Sequence, residues 1–249
     1  DMYRRGQLTT HAKYGEDMAI LAGDALLNYS FETACKAFSG GVNPTQDVRV
    51  ARALQVFGQK AGIFGMIGGQ VVDVESEKMP VTEMTRERLD FIHRLKTAAL
   101  LESSMMIGAV LAGASEEDVS KIEQIATKVG LAFQIQDDIL DYNRQNNTGK
   151  PVNNDLREHK ITLPLIEVME RVTKERREEI IATLKRCDVD NTAVDELQKI
   201  VDEGHGAELA SETMHAYLSR AMHLLSKYPE SPYRRALMDL CTFIAERDK

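Results

Sequence analysis

Six prolines, at positions 44, 80, 151, 164, 229 and 232, leave long proline-free stretches in this 249-residue chain. Proline removes a backbone donor and clashes with the preceding turn, so its absence keeps helices possible over those stretches. Within them, apolar residues recur three and four positions apart, the helical period. From Glu16, residues Ala19, Ile20, Leu21, Leu26, Leu27, Phe31, Ala34 and Phe38 predict one long helix. The same spacing predicts helices near 45–70, 83–112, 116–142, 159–171, 174–186, 191–203, 206–227 and 232–246. Thr82 with Glu83, and Ser115 with Glu116 and Asp118, read as helix starts. No stretch alternates apolar and polar residues as a strand would. The longest loops are expected at residues 143–157 and 72–81. The expected fold is a single all-α domain over 1–249, a helical bundle without internal repeat or linker.

Composition narrows the function classes. A net charge of −8 argues against a nucleic-acid binder, whose footprint is basic. Local clefts can still bind anions, because net charge is a global quantity. No apolar run reads as a membrane span, and no signal peptide opens the chain. Cys35, Cys187 and Cys241 are far apart and form no CxxC pair, so they read as buried free thiols in a reducing compartment such as the cytoplasm. The six histidines lack HExxH spacing, which leaves a zinc hydrolase without support.

Two features do not fit a plain core. "FGQKAGIFGMIGGQ" puts Gly58, Gly62, Gly65 and Gly69 on one face of an expected helix. Each glycine costs about 1 kcal/mol relative to alanine there, so the stripe predicts close approach by another helix or by a ligand. The second feature is "GLAFQIQDDILD", where Asp137, Asp138 and Asp141 interrupt Phe133, Ile135, Ile139 and Leu140. Asp137 and Asp141 share a helical face, and Asp138 lies about 100° around the axis. Such a cluster repels itself unless it is a wet helix end, meets arginines or lysines, or holds a divalent metal. An oxygen-only set fits magnesium better than zinc, since magnesium completes its shell with water and substrate phosphates. Gln134 adds an amide one turn before Asp138. Candidate phosphate contacts are Arg4 and Arg5 in "YRRGQ", Lys96 with Thr97 in "RLKTAAL", and Lys150 and Lys160 in "TGKPVNNDLREHKITLP". Each basic residue taken singly reads as a solvated charge.

Together these segments resemble trans-type isoprenyl diphosphate synthases. "GLAFQIQDDILD" with "GKP…DLREHKITLP" is similar to that family's second aspartate-rich region. "YRRGQLTTHAKYGEDMAILAGDALL", "FGMIGGQVVDVESE" and "RLKTAALLESSMMIGAVLAGA" match further segments in order. The resemblance implies an all-α bundle around a central cavity, usually homodimeric, that joins isopentenyl diphosphate to an allylic diphosphate with magnesium or manganese as cofactor. It implies that Asp137, Asp138 and Asp141 bind the metal directly or through water. Arg4 would contact the allylic diphosphate and Arg5 the isopentenyl diphosphate. Lys96, Lys150 and Lys160 would hold the allylic diphosphate, with Thr97 and Gln134 near the developing carbocation. The family's first aspartate-rich motif is expected immediately before Asp1, and the helices carrying further isopentenyl diphosphate contacts before that. A non-catalytic partner subunit is therefore the alternative reading, and a terpene cyclase a third. The front resembles short-chain synthases and residues 149–165 resemble longer-chain ones, so product length stays open.

Overall fold

A computed structural model describes residues 2–4, 6–80, 83–143 and 153–247. The chain opens with a minimal antiparallel hairpin, β1 (Tyr3–Arg4) and β2 (Gln7–Leu8), which pairs Tyr3 with Leu8 and Arg4 with Gln7. The sequence analysis expected no strand. The turn is possible because Gly6 adopts a positive φ of 76°. All else that is regular is helical: α1 (Thr10–Tyr14), α2 (Glu16–Cys35), α3 (Pro44–Ala61), α4 (Met66–Ser76), α5 (Arg86–His93), α6 (Ala99–Ala112) and α7 (Glu116–Asp141). There follow α8 (Asn154–Arg157), α9 (Leu163–Met169), α10 (Lys174–Leu184), α11 (Asn191–Glu203), α12 (Gly206–Leu225) and α13 (Pro232–Glu246). The all-α expectation therefore holds.

Local chemistry sets the boundaries. Ser115 starts α7 as expected: its hydroxyl accepts from the Asp118 amide at 3.1 Å, and Glu116, Glu117 and Asp118 oppose the helix dipole. The helix expected from 83 starts at Arg86, because Thr85 accepts from the Arg88 amide. Thr82 lies outside the described residues. The helix expected at 159–171 starts at Leu163. Thr162 is extended there, and the Leu163 amide donates to Asp138 Oδ2 at 3.1 Å. Residues 72–76, expected as loop, extend α4 instead, with Ser76 Oγ donating to the Val72 carbonyl. In the expected loop 143–157, Asn154–Arg157 form a turn of helix, and 144–152 lie outside the described residues.

The helix expected over 45–70 breaks in two, so the four glycines do not share one continuous face. Gly62 is extended, and a Cβ on Gly65 would sit 1.9 Å from the Lys60 carbonyl oxygen. Gly58 meets Phe31 only at ordinary contact distance, but Gly69 presses α4 onto the backbone of Leu95 and Lys96. The expected helix 83–112 is continuous except for a π turn at Arg94–Ala98. That run, Arg86–Ala112, is long and apolar enough to cross a membrane by length and composition, which the sequence analysis did not detect. Here it packs between α3 and α7 and carries the buried, ion-paired Glu102.

The principal core joins α5, α7 and α9–α13 around Ile125, Ala132, Leu165, Leu197 and Met214, each at most 1 % exposed. A smaller cluster joins α3, α6 and the start of α7. By contrast α2 buries no residue and exposes Ile20, Leu21, Leu26 and Leu27. Cys187 and Cys241 are buried, as expected, but Cys35 at the end of α2 is exposed.

Candidate active site

A cavity of about 520 Å³ opens where the end of α7 meets α4, the π turn and the segment between α8 and α9. Its lining includes Arg4, Lys96, Thr97, Gln134, Asp137, Asp138, Asp141 and Lys160. Residues from five separate parts of the sequence thus meet in one place. Arg5 and Lys150 lie outside the described residues. Met84, Leu89, Ile92, Leu140 and Ile161 give the cavity an apolar wall.

The π turn presents Lys96 and Thr97. Such turns insert an extra residue into a helix and recur at functional sites. Two glycines clasp this one. A Cβ on Gly69 would lie 2.3 Å from the Lys96 amide nitrogen, and one on Gly130 of α7 would lie 2.4 Å from Ala98 Cβ. Lys96 Nζ is 2.5 Å from Asp73 Oδ2. Lys160 Nζ is 2.6 Å from Glu158 and 3.3 Å from Glu77. Burial alone would depress the Lys160 pKa, but hydrogen bonds and charge from Glu158 and Glu77 leave it raised. Lys160 thus sits before α9, not at its start, with its amide donating to the Asp155 carbonyl.

The three aspartates differ. Asp137 is half exposed; its Oδ2 accepts from Gln134 Nε2 at 3.2 Å, and its Oδ1 pairs with Arg247. Asp138 is buried, with Oδ2 on the Leu163 amide and Oδ1 3.5 Å from His93 Nε2. Burial would lower the pKa of the His93 ring, but the Asp138 carboxylate, with Asp90 and Asp137, holds it raised. Asp141 caps α8: its oxygens accept from the amides of Asn154 at 3.2 Å and Asp155 at 3.1 Å. Asp155 faces the same acids. Burial and the charges of Asp141 and Asp138 push its pKa to about 7, against the opposing pull of Lys160.

Asp73, Glu77, His93, Asp155 and Arg247 were not anticipated. Asp73 and Glu77 stood in "DVESE", read as loop, and Arg247 offered no local signal.

Six carboxylates line the cavity (Asp73, Glu77, Asp137, Asp138, Asp141, Asp155), against Arg4, Lys96 and Lys160. An anionic ligand would be repelled unless a cation accompanied it. Among the described residues, no group of three or more His, Cys, Asp or Glu side chains forms a protein cage for a metal. Magnesium needs no such cage, since one or two carboxylates suffice when water and phosphate supply the rest. Asp137 and Asp141, one turn apart, fit that requirement.

The fold and site define a class: an all-α bundle with a cavity lined by carboxylates, lysines and apolar side chains. The polyprenyl synthetase family profile matches residues 1–203, and the chain belongs to that family. It is 40% identical over 189 residues to the heterodimeric geranylgeranyl pyrophosphate synthase large subunit 1, chloroplastic, of Arabidopsis thaliana, covering 73% of this chain and 50% of that protein. It is 41% identical over 192 residues to a geranylgeranyl diphosphate synthase of Cyanophora paradoxa, covering 73% of this chain and 61% of that one. The chain thus spans about half the length of curated relatives it matches. The crystal structure of geranylgeranyl pyrophosphate synthetase from Pyrococcus horikoshii Ot3 superposes with a TM-score of 0.86 at 31% identity, over 99% of this chain and 72% of that one.

Proposed function

We propose that the protein is a magnesium-dependent trans-prenyltransferase, condensing isopentenyl diphosphate head-to-tail with an allylic diphosphate in isoprenoid biosynthesis. The carrying observation is a cavity lined both by apolar side chains and by carboxylates that outnumber its cations. That combination suits a substrate with a hydrocarbon tail and an anionic head that arrives with a divalent metal.

Asp137 and Asp141 would hold the metal, magnesium or manganese, and Asp138 would brace the helix end between His93 and Leu163. The bound metal supplies charge neutralisation of the leaving diphosphate. Lys96 and Lys160 exchange their carboxylate partners for diphosphate oxygens as the allylic carbon–oxygen bond breaks. The Thr97 hydroxyl and the Gln134 amide oxygen offer dipoles to the resulting cation. The isopentenyl double bond attacks that cation, a carbon–carbon bond forms, and the adjacent carbon gives up a proton to the released diphosphate. The apolar wall excludes water, which would otherwise capture the cation. Arg4 at the cavity edge contacts the allylic diphosphate, and Arg5 and Lys150 complete the diphosphate contacts by resemblance.

A homodimer is the proposed assembly, in the cytoplasm or another reducing compartment. The relative named as a heterodimeric large subunit favours a second reading, a subunit that acts with a different partner. Product analysis of the full-length protein with isopentenyl diphosphate and several allylic primers tests both. Prenyl products that require magnesium, with Asp137→Ala lowering turnover by roughly 100-fold or more while isopentenyl diphosphate binding changes little, support the enzyme (each tenfold is about 1.4 kcal/mol). Product formation undiminished in excess chelator excludes the metal mechanism, and product only with an added second subunit favours the heteromer.

A further inference from the structure

We propose that Arg247 is a positioning residue for Asp137, fixing the carboxylate that receives the metal; this rests on the metal–diphosphate reading above. Arg247 follows the last residue of α13, 110 positions after Asp137 in sequence. Its side chain is nevertheless 9 % exposed, deeply buried for an arginine. Five contacts place it. The guanidinium carbon lies 3.9 Å from the centre of the Phe133 ring, a cation–π geometry. Nη2 donates to the Phe133 carbonyl at 2.9 Å and also to Asp137 Oδ1. The Arg247 carbonyl accepts from Gln136 Nε2 at 2.9 Å, and its amide donates to the Phe243 carbonyl.

The guanidinium is therefore anchored to α7 independently of Asp137. Phe133 and Asp137 are one helical turn apart, so the anchor stands directly beside the carboxylate it addresses. On the other side Gln134 Nε2 donates to Asp137 Oδ2. Each carboxylate oxygen thus has a protein donor. Without Arg247, the half-exposed Asp137 would lose the donor that fixes its Oδ1. Groups that orient metal ligands are worth roughly 10–100-fold in metal affinity.

Simple electrostatics predicts the opposite sign. A fixed cation beside a metal site repels the metal, so deleting Arg247 for charge reasons alone would tighten binding. The sign of the effect therefore separates a positioning role from a mere neighbouring charge.

The test uses the full-length protein and Mn2+ titrated by calorimetry in the presence of a non-reactive allylic thiolodiphosphate, with thermal melting in parallel. Arg247→Gln is expected to weaken Mn2+ binding by roughly tenfold or more. Arg247→Lys keeps the charge and the apolar stem but loses the planar fork, and is expected to weaken it by several-fold while folding normally. If Arg247→Gln does not fold, the lysine variant decides by the same criterion. Unchanged or tighter Mn2+ binding in a folded variant, with wild type binding normally, overturns the positioning role alone. Failure of the wild type to bind Mn2+ with the thiolodiphosphate overturns both this proposal and the prenyltransferase reading.

Discussion

Glu167 on α9 is buried to 3 % side-chain exposure, and it keeps its charge only because Arg86 Nη2 at 2.9 Å and Arg171 Nη1 at 2.5 Å surround it. Burial would raise its pKa, but hydrogen bonds and charge from Arg171 and Arg86 outweigh that and leave it below the ordinary glutamate value of 4.5. A group with a depressed folded-state pKa contributes stability above its unfolded pKa and loses it as pH falls through the folded one. Glu167→Gln should therefore cost about 2 kcal/mol in urea unfolding at pH 7. The difference from wild type should shrink as pH drops below the ordinary glutamate range. A difference that stays constant from pH 7 to pH 3 would show that charge plays no part. The pair matters to the site because α9 also supplies the amide that holds Asp138. At this scale, legibility divided by the kind of signal. Asp137 and Asp141 stood out because charge among apolar neighbours is visible in the sequence, whereas Lys96 and Lys160, each a solvated charge taken singly, gained their roles from the resemblance. Asp73, His93 and Arg247 did not stand out. Each acts through a partner brought near only by tertiary packing, as Arg247 is to Asp137 across 110 positions.

Among the elements, the π turn at Arg94–Ala98 is the one that periodicity could not show. Apolar spacing over 83–112 reads as unbroken helix, and one inserted residue changes that pattern too little to detect. The signal was in the glycines instead. Gly69 and Gly130 leave room for α4 and α7 to close on the turn, and only Gly69 was singled out, as part of a stripe that the break at Gly62 and Gly65 dissolves. Gly130→Ala should act through this packing. The added methyl would meet Ala98 Cα at 2.6 Å and Cβ at 2.4 Å, neither of which can swing aside as a flexible side chain does. Overpacking of this kind costs about 1–3 kcal/mol, against which alanine's better helix propensity returns about 1 kcal/mol. Net destabilisation should be modest in urea unfolding, while the KM for the allylic diphosphate rises because Thr97 and Lys96 move with the turn. Unchanged KM and unchanged unfolding midpoint together would mean that α7 yields freely and the clasp has no mechanical role.

For the whole molecule, α2 poses the main question. A helix rich in large apolar side chains is expected to bury most of them, yet α2 leaves Ile20 66 %, Leu21 60 % and Leu26 71 % exposed. The sequence revealed this helix and its apolar residues. It could not reveal that the described fold leaves them uncovered, since covering depends on what packs alongside. Fully burying one such side chain is worth about 1.5–3 kcal/mol, so several together supply a large drive to associate. The opposing term is the net charge of −8 on each copy, which salt screens over about 10 Å at 0.1 M. A homodimer through this face should therefore be present at micromolar concentration, and tighter at 0.5 M salt than at 0.05 M. An interface dominated by ion pairs would respond in the reverse direction. Leu21→Asp with Leu26→Asp places four carboxylates in a two-fold interface and should yield monomers whose far-ultraviolet circular dichroism matches wild type, because neither residue contributes to the buried core. Sedimentation velocity at the two salt concentrations reads both effects. A wild-type monomer at tens of micromolar in 0.5 M salt would reject self-association through α2. A dimer that survives the double substitution would place the interface elsewhere on the molecule.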